Sequence, residues 1–238
     1  MKKIFLVFLF LGSFSYTYAQ NYRFVYTTLA SMSETELMNI KDPNVKKRIE
    51  ERLNRIKDLE YELLIVGNKA RYNFYGKLLA PEGYRPPSNR KFYYFDNKVV
   101  EDVTFKRDSK RFFVEYPIDF FKWTITKKSA EINGYTCYYA FCEVKYDDYR
   151  GIGTYIMEAW FCPDFPMQCG PDEYFGLPGV VFIAKQQGAR FKTVLKRIEF
   201  LDTAPDLNFP KIEKTINSDQ YTDEFNKMME KDFGPRRL

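Results

Sequence analysis

The sequence predicts a mainly β (α+β) chain: a single strongly curved antiparallel sheet or half-barrel, with one helix in the N-terminal half and one at the C-terminus. Three observations carry this. Short apolar and aromatic runs alternate with turn residues from Glu60 to Leu201, the pattern of an antiparallel sheet that curls or closes. Aromatic residues reach 18%, with 19 tyrosines and 23 phenylalanines, types that fill β cores and cross-strand pairs. Apolar residues recur at helical spacing in two places, between Pro43 and Leu59 and from Ser218 onward. A β-sandwich is the alternative arrangement of the same strands.

The first residues read as a leader. Met1-Lys2-Lys3 is basic, Ile4 to Leu11 is apolar, and Thr17-Tyr18-Ala19 ends on a small residue. This is the order of a signal peptide, cleaved after Ala19 and too short to span a membrane. No cysteine follows the cut, so no lipid anchor is expected. Residues 20–238 form one β-rich domain, exported to the periplasm or the cell exterior. No later stretch approaches the ~18 apolar residues of a membrane helix, so no transmembrane segment is expected after cleavage.

The mature chain begins with a strand, Tyr22 to Met32. Asp42-Pro43 then opens the first helix, in which Val45, Ile49, Leu53 and Ile56 share a face and mixed charges cover the other. Tyr61–Val66 and Ala70–Tyr75 form a hairpin through Gly67-Asn68-Lys69, and a Pro-rich loop fills 81–88. Lys91–Phe95 turns at Asp96-Asn97 into Lys98–Phe105, where Val99, Val103 and Phe105 share one parity. Arg111–Tyr116 ends at Pro117, and Trp123–Thr126 follows a bend. Asn133-Gly134 is the sharpest hairpin signal. It leads into Tyr135–Tyr146, and Gly151-Ile152-Gly153 turns the chain into Thr154–Cys162. Val180–Lys185 pairs through Gln186-Gln187-Gly188 with Arg190–Leu201. Asp202–Asn217 is extended, and Ser218 is the N-cap expected for the last helix, with Tyr221, Phe225, Met228 and Met229 on one side.

Composition removes several chemistries. Histidine is absent, which excludes Ser-His-Asp and Cys-His nucleophile systems and the commonest zinc ligand. The net charge of +5 falls to +3 without Lys2 and Lys3, and is spread along the chain. A nucleic-acid partner is not expected. No phosphate, calcium or metalloprotease motif occurs, so no cofactor, metal or catalytic residue is assigned. The carboxylate pairs Asp147-Asp148 and Asp172-Glu173 lie beside turns and read as solvated residues, because adjacency in a loop does not tune carboxylate pKa values.

All four cysteines, Cys137, Cys142, Cys162 and Cys169, fall between residues 137 and 169. In an oxidising compartment an even count suggests disulfides, and four cysteines allow three pairings. Cys137 and Cys142 would face opposite sides of a straight strand. Cys162 with Cys169 would staple the loop between them and is the first choice; free buried thiols are the alternative.

That loop is the densest feature of the chain. Pro163, Pro166, Gly170 and Pro171 prevent regular structure between Trp160 and Phe175. Pro178-Gly179 suits a type II turn from Leu177 to Val180. Trp160 with Pro163, Gly170-Pro171 and Phe175-Gly176-Leu177-Pro178-Gly179, together with Gly134-Tyr135-Thr136-Cys137 upstream, resembles the GLPGLI family of exported Gram-negative envelope proteins. Val180 and Val181 stand where the family motif has Leu and Ile. The resemblance implies an envelope protein and brings no catalytic residues with it. Two functions follow as expectations. One is a non-catalytic interaction module for an envelope or outer-membrane protein, with the loop presenting Phe165, Met167, Tyr174 and Phe175. The other is a carrier or sensor of an apolar ligand, such as a lipid or lipoprotein acyl chain, held in the aromatic concave face.

Overall fold

The structure, a computed structural model, describes residues 21–31, 38–56, 59–75, 90–105, 110–149 and 151–234. The leader read at 1–19 and the Pro-rich segment 81–88 lie outside the described residues. Eleven strands form one antiparallel sheet: β1 (Asn21–Ala30), β2 (Tyr61–Val66), β3 (Lys69–Phe74), β4 (Lys91–Phe95), β5 (Lys98–Thr104), β6 (Arg111–Pro117), β7 (Thr124–Ile132), β8 (Tyr135–Asp148), β9 (Gly151–Cys162), β10 (Val180–Gln186) and β11 (Phe191–Leu201). Among the described residues two helices accompany it, α1 (Pro43–Ile56) and α2 (Ser218–Phe233). No helix among the described residues is long and apolar enough to cross a membrane.

The strand order is β6-β5-β4-β3-β2-β1-β11-β10-β9-β8-β7. Each strand therefore pairs with its sequence neighbour, and the first pairs with the last; the one break lies between β6 and β7, the two edges. Residues 118–123 alone join those edges. The seven Cα steps from Pro117 to Thr124 reach at most about 25 Å, whereas eleven strands laid flat would set the edges about 48 Å apart. The sheet is therefore not flat. Helix α2 makes the same point, because it touches both β6 and β8, nine places apart in the order.

Local chemistry explains the strands. Asp96 and Asn97 both take positive φ (51° and 56°), as do Asn133 and Gly134 (53° and 82°), the two-residue turn whose twist matches paired strands. Alternate residues then face one core: Phe24 and Tyr26 of β1, Leu63 of β2, Tyr72 of β3, and Phe92 and Tyr94 of β4 are buried. The edge strand β6 is blunted. Ile216 runs parallel beside it, donating its N–H to Phe113 O (2.9 Å) and accepting from Glu115 N (2.8 Å), which removes part of a free strand edge.

Three expectations change in detail. β7 continues to Ile132 rather than stopping at Thr126, because pairing with β8, irregular between Ile125 and Ser129, resumes at Ser129 and runs to Ile132. Gly151-Ile152-Gly153 is strand rather than turn, and Gly153 pairs with Tyr146. The cap of α2 is Asn217, not Ser218: its side chain accepts from Gln220 N (2.9 Å) while Gln220 Oε1 accepts from Asn217 N (3.1 Å), a reciprocal pair that a residue one position later cannot form. Asp42 caps α1 as its sequence suggests, accepting from Asn44 N at 2.8 Å.

Candidate functional site

The loop between β9 and β10 is inside the molecule. Phe165, Tyr174 and Phe175 are 5%, 7% and 1% exposed, and Leu177 is fully buried, so the side chains expected to form a presented surface do not face solvent; Met167 is half-buried. The loop is tied to its own strands by backbone bonds, Val180 N to Phe165 O (3.0 Å), Val181 N to Cys169 O (3.0 Å) and Gly176 N to Gln168 O (3.1 Å). Side chains from β4, β1 and the residue before β7 tie the loop and the start of β10 to the rest of the sheet. Tyr94 Oη donates to Gly170 O (3.1 Å), Tyr26 Oη to Val181 O (2.8 Å) and Trp123 Nε1 to Phe175 O (2.7 Å). The Phe175 ring meets Phe121 at 5.0 Å, Tyr116 at 5.9 Å and Tyr94 at 6.5 Å.

The motif residues follow from this packing. A Cβ on Gly179 would lie 2.2 Å from Cys162 O, and one on Gly176 (φ +88°) 2.5 Å from Ile118 O, so both are glycines because another backbone passes there. The type II turn expected at Pro178-Gly179 is replaced by a tighter one. Gly179 N donates to Leu177 O (2.8 Å), and Val180 N is taken by Phe165 O. Pro163 and Pro178 lie at the surface, while Gly170 and Pro171 are buried beneath them. Trp160 stands apart from this knot, against Tyr139 at 5.5 Å with Lys128 Nζ 5.4 Å above its ring.

All four cysteines are free, buried thiols in this structure. Strand register sets Tyr138 opposite Phe161, which places Cys137 directly across from Cys162, and the two thiols interact. The structure thus brings Cys137 to Cys162, a pair that the strand register makes and the loop spacing does not suggest. Burial pushes Cys137 up to about 12, with Cys162 adding to the shift, and burial likewise raises Cys142, Cys162 and Cys169. Thiols held protonated in this way are poor nucleophiles near neutral pH. Among the described residues, no group of three or more acidic or thiol side chains is placed to hold a metal ion.

A cavity of about 620 Å³ lies between the two ends of the sheet and under α2. Nine of its seventeen lining residues are aromatic: Phe92, Tyr116, Phe120, Phe121, Tyr146, Tyr155, Phe175, Tyr221 and Phe225. Charge is concentrated at one wall. Arg90 pairs through Nε with Glu101, and through Nη1 with Glu173 Oε2 at 2.6 Å, and stacks over Phe92 at 5.1 Å. Burial works against the charge on Arg90, but Glu173 and Glu101 outweigh it and its pKa is raised. Tyr116 Oη donates to Glu101 Oε2 at 3.1 Å, and burial, then Glu101, pushes that phenol up. Asp148, 8% exposed, also lines the space.

Two carboxylates that read as solvated turn residues, Asp148 and Glu173, therefore face this cavity; their neighbour Asp147 is the exposed one. Tyr221 and Phe225 lie on the side of the last helix that the sequence marks as apolar, whereas Arg90 and Tyr116 carry no motif. Glu101 left a fainter signal: it shares the parity of Val99 and Val103, so the strand period puts a carboxylate among buried positions.

Comparison with known proteins agrees with a β chain and leaves its role open. The family described as "Protein of unknown function (Porph_ging)" matches residues 152–182, from within β9 through the loop into β10. No curated protein matches the chain. The solved structures of PNGF-II in the C2 and P21 space groups are similar over 87% of this chain, with a TM-score of 0.56 and 13% identity. The chain spans about a third (33%) of the length of those structures. At that identity the likeness is one of fold.

Proposed function

We propose that this protein is an exported, non-catalytic binding protein of the cell envelope, of the GLPGLI type, whose strands form a half-barrel around a small-molecule cavity. It acts as a carrier or sensor. The observation that carries this reading is the 620 Å³ space with nine aromatic residues in its lining, a size and character typical of ligand pockets. Its wall is assembled from β4, β6, β8, β9, β10, the connection after β6, the central loop and α2, so a bound ligand would bridge the edge strand β6 to β8 and β9, with which it has no strand pairing. The leader, Met1 to Ala19, supports export. The raised thiol pKa values and the lack of histidine support binding rather than turnover. The interaction-module reading relied on Phe165, Tyr174 and Phe175 as a presented surface, and their burial removes that support.

Native mass spectrometry of the mature protein, purified from an envelope fraction, tests the reading. The expected result is a discrete added mass that is lost in Thr222→Trp, where a larger side chain on α2 fills the space. A bare protein that also fails to take up a hydrophobic dye would overturn it.

A further inference from the structure

We infer that the ligand of this cavity is a flat aromatic molecule rather than an acyl chain or a saturated ring. This rests on the reading that the cavity holds a ligand, and it adds the ligand's shape and chemical class. The lining carries nine aromatic rings, whereas Val144 is its one aliphatic apolar side chain among the described residues. Acyl chains fit walls of flexible side chains, which can re-pack around a guest of many conformers. A wall of rings cannot follow such a guest. An aromatic side chain turns about two bonds only, and its ring presents a negative face and a positive edge. A second flat ring answers both, offering its own edge to a face and its own face to an edge.

The lining rings are also held from behind. Phe120, Phe121 and Phe175 form a contiguous group, with centroids 5.0 Å apart at each step, and Tyr116 meets Phe120 at 5.0 Å. Trp123 backs Phe121 at 6.3 Å, and Tyr94 backs Phe175 at 6.5 Å. On the α2 side, Tyr221 lies parallel to Phe105 at 5.9 Å, and Phe225 stacks on the same ring at 6.3 Å. Phe112 meets Tyr221 edge-on at 6.2 Å. Trp123, Tyr94, Phe105 and Phe112 are not among the lining residues, so they fix the lining rings from outside the space. A wall preset in this way lets a guest gain its ring contacts without ordering side chains as it arrives. Each such contact adds to what apolar area alone gives, and a saturated guest of the same size forgoes it. Thr154, Gln186 and Ser218 add two hydroxyls and an amide to the lining, which suits a ring with polar substituents over a bare hydrocarbon.

Three neutral probes with the same carbon count and one hydroxyl group each separate flatness from apolar area: 2-naphthol, its saturated form decahydro-2-naphthol, and decan-1-ol. Binding to the mature protein is read near neutral pH by ligand-observed NMR and by titration calorimetry. Apolar area alone favours the saturated probes and places decan-1-ol first. The expected order is the reverse, with 2-naphthol about tenfold tighter than decahydro-2-naphthol, a margin that two ring contacts suffice to give. Phe120→Leu removes a ring and keeps apolar surface, at a position already 37% exposed and so tolerant of change. It should weaken 2-naphthol severalfold and leave decahydro-2-naphthol nearly unchanged. Equal affinity for these two probes, an equal loss for both in Phe120→Leu, or tightest binding of decan-1-ol overturns the aromatic assignment while leaving a ligand cavity in place. If none of the three binds, the assignment falls, and the native mass then decides the wider reading separately. The ligand freed from the native protein by denaturation gives an independent check. It should absorb in the near ultraviolet, and a saturated or acyl compound in its place would overturn the assignment.

Discussion

Gly179 shows how little freedom the central loop has at the level of single residues. Its α-carbon passes so near β9 that a methyl group would sit 2.2 Å from Cys162 O and 2.9 Å from Pro163 Cα. Those are backbone atoms, so relief requires the β9–β10 junction to open. Gly179→Ala should therefore destabilise the protein by about 3 kcal/mol, the upper range for overpacking, read as a fall in urea midpoint with unchanged slope. A loss under 0.5 kcal/mol would mean the junction yields easily and the loop is not the rigid plug described. Gly67 makes the contrast, with open space around it: an alanine there meets only the cost of its positive φ. Glu101 is the other informative residue. At 1% exposure it is tolerated only because Arg90 and Tyr116 both bond it, as buried charge requires.

At the scale of elements, the strands were legible and the plug was not, for physical reasons. Alternation plus Asn133-Gly134 or Asp96-Asn97 marks strands and their turns because both depend on the local chain. The end of β7 is not legible because Lys127-Lys128-Ser129 has no apolar period and spans an irregularity, after which the partner strand holds Ser129 to Ile132. Pro163, Pro166 and Pro171 say that the loop is irregular, but irregular backbone can line a surface or fill a core, and only the partners decide. Here Tyr26, Tyr94 and Trp123 supply the bonds a buried loop needs, as the cost of burying unpaired backbone demands. The cavity was invisible because its lining runs from Arg90 to Phe225 and meets only when the sheet bends. The cysteines give the element-scale prediction. Cys137 and Cys162 are cross-strand neighbours on β8 and β9, where Cβ atoms lie about 5 Å apart, near disulfide distance. Refolding in a glutathione redox buffer should oxidise this pair: two thiols lose two protons and two electrons to glutathione disulfide, which leaves as two thiols. Peptide mapping without reduction should recover Cys137 linked to Cys162, with Cys169 free. A Cys162–Cys169 link would show instead that the loop closes on itself before β8 and β9 pair.

For the whole molecule, the titrating groups define a pH window of stability with two separate edges. On the acid side, Arg197 and then Lys196 lower Glu60, and Arg197 and Arg23 lower Glu199 against the burial that raises it. These pairs tie β1 and β11 to the residue just before β2, across the middle of the sheet. A carboxylate whose folded pKa lies below its unfolded value of 4.5 stabilises the fold above that value, and the contribution is lost as pH falls through the folded pKa. On the alkaline side the sign reverses. The buried thiols have folded pKa values above their unfolded value of 9.0, Cys137 at about 12, so the unfolded chain releases protons first and stability falls as pH rises beyond 9. Each such thiol costs up to about 1.4 kcal/mol per pH unit. Tyrosines join only above their unfolded value of 10.0; burial raises Tyr26, Tyr72 and Tyr94 well beyond it. The interval between pH 9 and 10 therefore isolates the thiols. The reduced protein should hold a flat Tm from about pH 5 to 8, then lose several degrees between 9 and 10, and Cys137→Ala should lessen that loss. Oxidation of Cys137 with Cys162 should lessen it more, because it removes two titrating groups at once. A Tm unchanged from pH 8 to 10 in reduced protein would mean that water reaches these thiols and that the packing of the loop against β8 and β9 is looser than their burial implies.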